Sequence, residues 1–186
     1  MIYENIDRIL WLGIIAYWII TWQGNKKTVQ SANPRGRLIG FLFFIVFAYA
    51  LYHADGWLKT RLLPDNDTMH LLGTVCTASG IAFAIWARVT LGRNWSANPT
   101  IKEGHELITQ GPYRFVRHPI YTGLLLAMFG TFFLQNGLLR DLLFCLFIVF
   151  GLRTKSLIEE KFMFQTFPQS YPDYCRRTKA IIPYIW

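Results

Sequence analysis

The amino-acid sequence predicts an all-α integral membrane protein with about five transmembrane helices, the last two forming a helical hairpin. Two observations carry that class. The first is a set of long stretches without Asp, Glu, Lys or Arg, in a chain that is 53% hydrophobic and only 16% charged, with a mean hydropathy of +0.26. The second is the distribution of the 19 Lys and Arg residues. If successive loops alternate sides, only Arg8, Lys59, Arg61 and Arg140 fall on one side and all the others fall on the opposite side. The positive-inside rule then puts the N-terminus outside and the C-terminus in the cytoplasm. The net charge of +8 is thereby assigned to a face that meets anionic lipid headgroups, and no nucleic-acid partner is needed to explain it. A soluble all-α protein with buried helices is the competing reading, but four such stretches would leave too little polar surface.

The spans follow in order. Ile9–Asn25, Leu38–Ala54, Thr68–Ala87 and His118–Leu139 are free of charged residues over 17 to 22 positions, close to the roughly 20 residues that cross a bilayer as a helix. The first lacks a basic lead-in and a small-residue cleavage site, so it reads as a retained helix. Leu142–Leu152 is shorter. It is expected to extend in both directions and to pair with the fourth span through a turn at Gln135-Asn136-Gly137. Residues 1–186 read as one membrane domain. Its first part, 1–87, holds three spans, and 88–186 holds a core of loop, hairpin and tail.

The polar mass lies in two places on the predicted cytoplasmic side. One is the loop of about 30 residues from Arg88 to Arg117, and loops of that length in a small chain are usually functional. Asn98-Pro99 and Gly111-Pro112 punctuate it. Gly111 permits a sharp bend and Pro112 fixes its own φ. Pro119 suits the first turn of the fourth helix, which puts His118 at its N-cap and Tyr121 and Gly123 in its first turns, Gly123 leaving room for a close approach. The other is the tail from Arg153. It begins as a helix carrying Glu159 and Glu160, and Pro168 and Pro172 are expected to break the rest into short pieces. Tyr171 and Tyr174, three apart, share a face if helical. Cys76, Cys145 and Cys175 show no disulfide framework, and the scattered His53, His70, His105 and His118 show no metal-ligand spacing.

Each of these residues has a plain structural reading. Arg114 and Arg117 suit anchors at a cytoplasmic boundary, Tyr113 and Tyr121 an aromatic belt, and the glutamate pair a solvated helix end. None of these readings explains Gly-Pro-Tyr, Arg-His-Pro and Tyr-x-Gly packed into the thirteen residues of GPYRFVRHPIYTG.

That stretch, extended to LITQGPYRFVRHPIYTG and followed by EEKFMFQTF and YPDYCRRTKAIIP, resembles the isoprenylcysteine carboxyl methyltransferase family and its relatives among the phospholipid methyltransferases. LGRNWS fits as well, and the resemblance runs from about Leu91 to Pro183. Where that family usually has Phe-Gly after the glutamate pair, this chain has Phe167-Pro168. The resemblance implies a membrane-embedded enzyme using S-adenosylmethionine, with S-adenosylhomocysteine as product. The lipophilic or prenylated acceptor would enter from the bilayer. It also implies cofactor contacts at Thr109, Gly111, Pro112, Tyr113, His118, Pro119, Tyr121 and Gly123, with Glu159 and Glu160 opposite. Tyr171 and Tyr174 would close the tail over the pocket, and Arg117 would be a catalytic residue on the substrate side.

The residue chemistry is compatible with that. No GxGxxG or strand pattern of a soluble nucleotide fold is present. Carboxylates match an ammonium, Arg or His a carboxylate, and tyrosine faces a sulfonium. A carboxylate acceptor needs no base at neutral pH, and Arg117 is expected to grip it bidentately. A phospholipid amine would first have to lose a proton, and Glu160 is the candidate base. Three readings stand at this point: carboxyl methylation of a lipophilic acid, N-methylation of a phospholipid headgroup, and a non-catalytic lipid-binding protein of the same fold.

Overall fold

A computed structural model describes residues 2–22, 25–31, 34–96, 100–135 and 137–183. Five long helices run through it: α1 (Ile2–Thr21), α2 (Pro34–Tyr52), α3 (Asp67–Leu91), α4 (Pro119–Leu134) and α5 (Leu139–Thr166). A short α6 (Ser170–Arg177) follows. The sequence reading did not anticipate the antiparallel pairing of β1 (Thr28–Ser31) with β2 (Thr100–Lys102). These strands are three and four residues long, with an irregularity between Thr28 and Gln30, and so carry no readable alternation.

Local chemistry sets the helix ends. The Asn66 side chain accepts the Met69 N–H at 2.9 Å and caps α3. Pro119 opens α4 with His118 at the N-cap, as the sequence indicates. Pro168 disfavours helix in the residue before it, and α5 stops at Thr166. Pro172 behaves differently from the expectation of a break. It lies in the first turn of α6, where its missing N–H leaves no bond unmade. The hairpin between α4 and α5 forms, with Gly137 at φ +57°; Asn136, like Asn98-Pro99, lies outside the described residues.

α3 and α4 form the centre. Gly73, Thr77, Gly80, Ala84 and Ala87 on α3 are buried, as are Gly123, Ala127 and Gly130 on α4. The backbones nearly touch. A Cβ on Gly80 would lie 2.5 Å from the Gly123 carbonyl oxygen, and one on Gly130 would lie 2.6 Å from that of Gly73. Small residues of this kind let helices approach closely where lipid removes the hydrophobic drive between them. A Cβ on Gly123 would lie 2.6 Å from the Gly80 carbonyl oxygen. The close approach expected at Gly123 is therefore made by α3.

α1 packs Ile14 against Ile81, Ala84 and Ala127. Its Asp7 Oδ1 accepts the Thr131 hydroxyl at 2.9 Å, and Trp11 Nε1 donates to Thr131 Oγ1 at 2.9 Å. α2 leans on α5 through Phe47 and Phe147, 4.4 Å between ring centroids, and leaves most of its apolar side chains exposed. Among the described residues, the helical segment Asp67–Asn94 is long and apolar enough, on length and composition, to cross a membrane. Leu38–Tyr52 and Pro119–Leu134 are apolar but shorter.

The loops segregate by end. The strand pair joins the α1–α2 loop to the α3–α4 loop, and the Lys26 ammonium reaches the Gly104 carbonyl at 2.6 Å. At the other end, Leu62 N–H donates to Gly137 O at 3.0 Å and Leu139 N–H to Thr60 O at 3.0 Å. The 87/88 division drawn from the sequence falls inside α3.

Candidate active site

The Gly-Pro-Tyr/Arg-His-Pro segment is folded by its own special residues. Gly111 adopts φ +58° beside Thr90, a conformation open to glycine at little cost. Pro112 is buried in the short 3-10 turn of Gly111–Arg114. The chain then runs alongside the tail. Arg117 N–H donates to Lys179 O at 2.8 Å, His118 N–H to Ala180 O at 2.9 Å, and the Thr122 hydroxyl to Ile181 O at 2.5 Å. Val116 and Ile181 are fully buried at this contact. The Tyr174 hydroxyl donates to Tyr113 O at 2.6 Å, and Tyr171 and Tyr174 do share the buried face of α6.

The glutamate pair faces this segment from α5. Tyr121 donates its hydroxyl to Glu159 Oε1 at 2.6 Å, and His118 Nδ1 lies 3.4 Å from Glu159 Oε2. His118 Nε2 lies 3.3 Å from Glu160 Oε1, and Arg117 Nε donates to the same oxygen at 2.9 Å. The imidazole also stacks on the Tyr121 ring, 5.3 Å between centroids with planes 4° apart.

Burial opposes charge on His118, but its bonds to Glu159 and Glu160 and their negative charge outweigh burial and raise its pKa. Burial pushes the Glu160 carboxyl up, and the opposed bonds and charges of His118 and Arg117 bring it below the usual carboxylate range. Burial raises the Tyr113 phenol and likewise Tyr171 and Tyr174. All three remain hydrogen-bond donors at neutral pH.

A cavity of about 600 Å³ opens beside this cluster. Tyr113, Arg117, His118, Tyr121, Glu159, Tyr171 and Tyr174 line one part of it, and Trp11, Ile14, Ile15, Trp18 and Ile19 of α1, with Trp22 just beyond its end, line another. Seven of the sequence-nominated residues are thus brought to one wall. The others are placed differently. Glu160 is not on the wall and serves Arg117 and His118. Gly111, Pro112 and Pro119 shape the backbone, Gly123 packs on α3, and Thr109 is exposed and off the wall.

Arg117 also departs from expectation. Nε is on Glu160, and Nη1 is on the Cys175 carbonyl at 3.4 Å and on the Thr178 carbonyl. Each guanidinium edge therefore has a nitrogen already engaged by the chain, so neither is open to a bidentate carboxylate.

The sequence reading missed the α1 wall and Lys155, whose ammonium lies 5.2 Å from the Tyr121 ring centroid and which also lines the cavity. It also missed the aromatic corner where Trp95 meets Trp18 and Trp22 at 6.3 and 5.7 Å, with the Arg88 guanidinium 4.6 Å above Trp95. The available signal was the spacing of Trp11, Trp18 and Trp22, seven and then four apart, which puts all three on one helix face. Among the described residues, no three His, Cys, Asp or Glu side chains group so as to hold a metal ion.

Known proteins are similar to this chain in sequence and fold. A family model described as phospholipid methyltransferase matches residues 68–170. A rice protein (Oryza sativa subsp. indica) named probable protein-S-isoprenylcysteine O-methyltransferase is 31% identical over 159 residues, covering 84% of this chain and 83% of that protein. The cobalt-zinc-cadmium resistance protein CzcN of Cupriavidus metallidurans is 29% identical over 165 residues, covering 86% and 69%. The solved structure of the eukaryotic intramembrane Ras methyltransferase ICMT (isoprenylcysteine carboxyl methyltransferase) shares the fold with a TM-score of 0.58 at 23% identity. That match covers 84% of this chain, which spans 55% of the solved one. The chain belongs to the phospholipid methyltransferase family and is an isoprenylcysteine O-methyltransferase-like membrane methyltransferase.

Proposed function

We propose that the cavity holds S-adenosylmethionine at its polar end and a lipophilic acid along α1, and that the enzyme methylates the acid's carboxylate. The observation that carries this is the junction, in one cavity, of a carboxylate–imidazole–phenol wall with a Trp/Ile wall. The donor set fits the cofactor. Glu159, held by Tyr121 and His118, matches an ammonium, and tyrosine rings suit a sulfonium. The Tyr121 ring already carries the Lys155 cation. When bound, S-adenosylmethionine supplies a methyl group on a positively charged sulfur, which passes to a lone pair of the acceptor while sulfur keeps the bonding pair.

The chain's own residues position and exclude. His118 and Tyr121 hold Glu159 in one orientation. The tail, clasped through Arg117 and Tyr174, covers the site against water, and positioning of this kind supplies much of a transfer rate. Glu160 has its charge engaged by Arg117 and His118 and sits off the cavity wall, so it is poorly placed to take a proton from an amine. A carboxylate acceptor needs no such base, and this favours it over a phospholipid headgroup. The acceptor need not be a prenylated protein, because relatives include a bacterial protein named for metal resistance.

The five helices are read as five spans with the active site on the cytoplasmic side. The arrangement of loops by end supports this, because it puts the α1–α2 loop, the α3–α4 loop and the basic tail together. Reporter fusions after Lys27 and Glu103 should read cytoplasmic, and those after Thr60 and Gly137 should read external. An external signal after Glu103 would contradict that orientation. The activity is tested by calorimetry with S-adenosylhomocysteine, then radiolabelled methyl transfer to a prenylcysteine acid and to phosphatidylethanolamine. Label in the acid alone is expected. Label in the headgroup alone would establish the amine reading, and absence of binding the non-catalytic one.

A further inference from the structure

We infer that a second cavity in the bundle receives the far end of the acceptor's hydrocarbon chain, which reaches it past Trp11 and Leu124. This rests on the methyl-transfer reading above and names where the acceptor's chain ends. The second cavity has a volume of about 470 Å³ and is lined by residues of α1, α4 and α5. Ligand cavities generally span about 300–1,000 Å³, so this is room for a length of chain rather than for a methyl group. It meets the first cavity at two shared residues, Trp11 and Leu124. The helical wall of the first cavity runs from Trp22 to Trp11, so a chain laid along α1 arrives at that junction. Leu124 lies three residues beyond Tyr121 on α4, about 4.5 Å of helix from the polar wall.

The walls give the second argument. Leu124, Met128, Thr131 and Gln135 follow one another along α4 and its end at steps of four, three and four. Leu152, Ile148, Cys145 and Asp141 on α5 repeat those steps in the opposite chain direction. Steps of three and four keep side chains on one helix face, so the two stripes line a slot that runs from the polar wall toward the α4–α5 hairpin. From Leu124 to the end of α4 at Leu134 is about 15 Å of helix. At the hairpin end Gln135 and Asp141 close the slot with polar groups, which a hydrocarbon end does not displace without cost. Trp11 is fixed at the junction. Its Nε1 donates to Thr131 Oγ1 at 2.9 Å, and the Thr131 hydroxyl donates to the buried Asp7 at 2.9 Å. The indole is therefore a set boundary between the cavities, and the one hydroxyl in the middle of the slot is spent on Asp7. An apolar chain is the occupant this lining matches, and continuity with the first cavity makes it the acceptor's own chain rather than a separate bilayer lipid.

The test uses the full chain in detergent, loaded with S-adenosylhomocysteine, and measures the binding of S-geranyl-, S-farnesyl- and S-geranylgeranylcysteine. Ile148→Trp adds bulk to the wall of the second cavity. It should weaken the geranylgeranyl acid by roughly tenfold or more, the order of an overpacking effect. The geranyl acid and S-adenosylhomocysteine should bind nearly as before, and the farnesyl acid should fall between. Equal losses for all three acids, or no loss for any, would overturn the inference. If Ile148→Trp does not fold, photolabelling of the wild type reads the same point. A geranylgeranyl acid carrying a diazirine at its chain end should label Met128, Cys145 or Ile148. The matching geranyl probe should label Ile14, Ile15 or Trp18 instead. Label from the long probe on α2, or at the same residues as the short one, would overturn the inference. Label at Met128 or Ile148 in a protein that transfers no methyl group would keep it and remove the methyl-transfer reading on which the acceptor was named.

Discussion

Between α3 and α4 the helices meet through missing side chains, with Gly73, Gly80, Gly123 and Gly130 set backbone against backbone. Between residues 113–122 and the tail they meet through polar atoms: the Arg117 brace, the Thr122 and Tyr174 hydroxyls and two backbone bonds to Lys179 and Ala180. The first contact depends on shape and carries no charge. The second depends on donors, acceptors and ionisation, so it responds to pH and to single polar substitutions. The difference separates what holds the bundle together from what closes the cavity over its contents.

The largest expected effect breaks the shape-based contact. Gly80→Leu drives a side chain into the α4 backbone, which cannot yield as a flexible side chain can, and the cost should exceed the usual overpacking range of about 1–3 kcal/mol. Little folded protein should be recovered on size exclusion in detergent. Gly13→Leu is the control, since nothing lies within 4 Å of a Cβ there, and it should fold normally.

The next effect breaks the polar contact. The Arg117 and Glu160 side chains are only 13% and 12% exposed, and removing one partner of such a pair costs about 3 kcal/mol or more. Arg117→Ala should lower the thermal midpoint and weaken S-adenosylhomocysteine binding together with turnover, because the tail carrying Tyr171 and Tyr174 loses its hold. Arg114→Ala, at an exposed site over the Phe115 ring, should leave all three measurements nearly unchanged. Loss of turnover alone in Arg117→Ala would restore the substrate-gripping role expected from the sequence.

The smallest effect sharpens the comparison through pH. The raised His118 pKa contributes stability that is complete below its usual 6.5 and is lost as pH rises through the folded value. The depressed Glu160 pKa contributes stability present above its usual 4.5 and lost as pH falls through the folded value. Thermal midpoints should therefore be highest between about 4.5 and 6.5 and decline on both sides. In His118→Gln the alkaline decline should flatten, whereas an unchanged alkaline limb would assign it to another group.

Much of this was legible in the sequence for identifiable reasons. Charge-free runs marked the apolar lengths of α1 to α4, although α1 begins earlier than its run and carries Glu4, Asp7 and Arg8. Pro119 marked a helix start, because only the first turn tolerates a missing N–H. The glutamate pair could be set opposite His118 only through the family resemblance, since His118 and Glu159 lie 41 positions apart and no periodicity reaches that far. The α1 wall carried no motif beyond its tryptophan spacing. The Arg117 brace was invisible because two of its partners are backbone carbonyls, Cys175 and Thr178, which leave no trace in side-chain identity. At Gly123 the close approach was legible but its partner, α3, was not, because a glycine in a sequence signals close approach without saying what approaches.

The central claim is that the wall built by His118, Tyr121 and Glu159 receives the methyl donor. Calorimetry of S-adenosylhomocysteine against folded wild type and Glu159→Gln tests it directly. Binding to the wild type, weakened by about 1.5–3 kcal/mol in the variant, is the result this account predicts, the usual range for a hydrogen bond to a charged group. Equal affinity in the two proteins would contradict it.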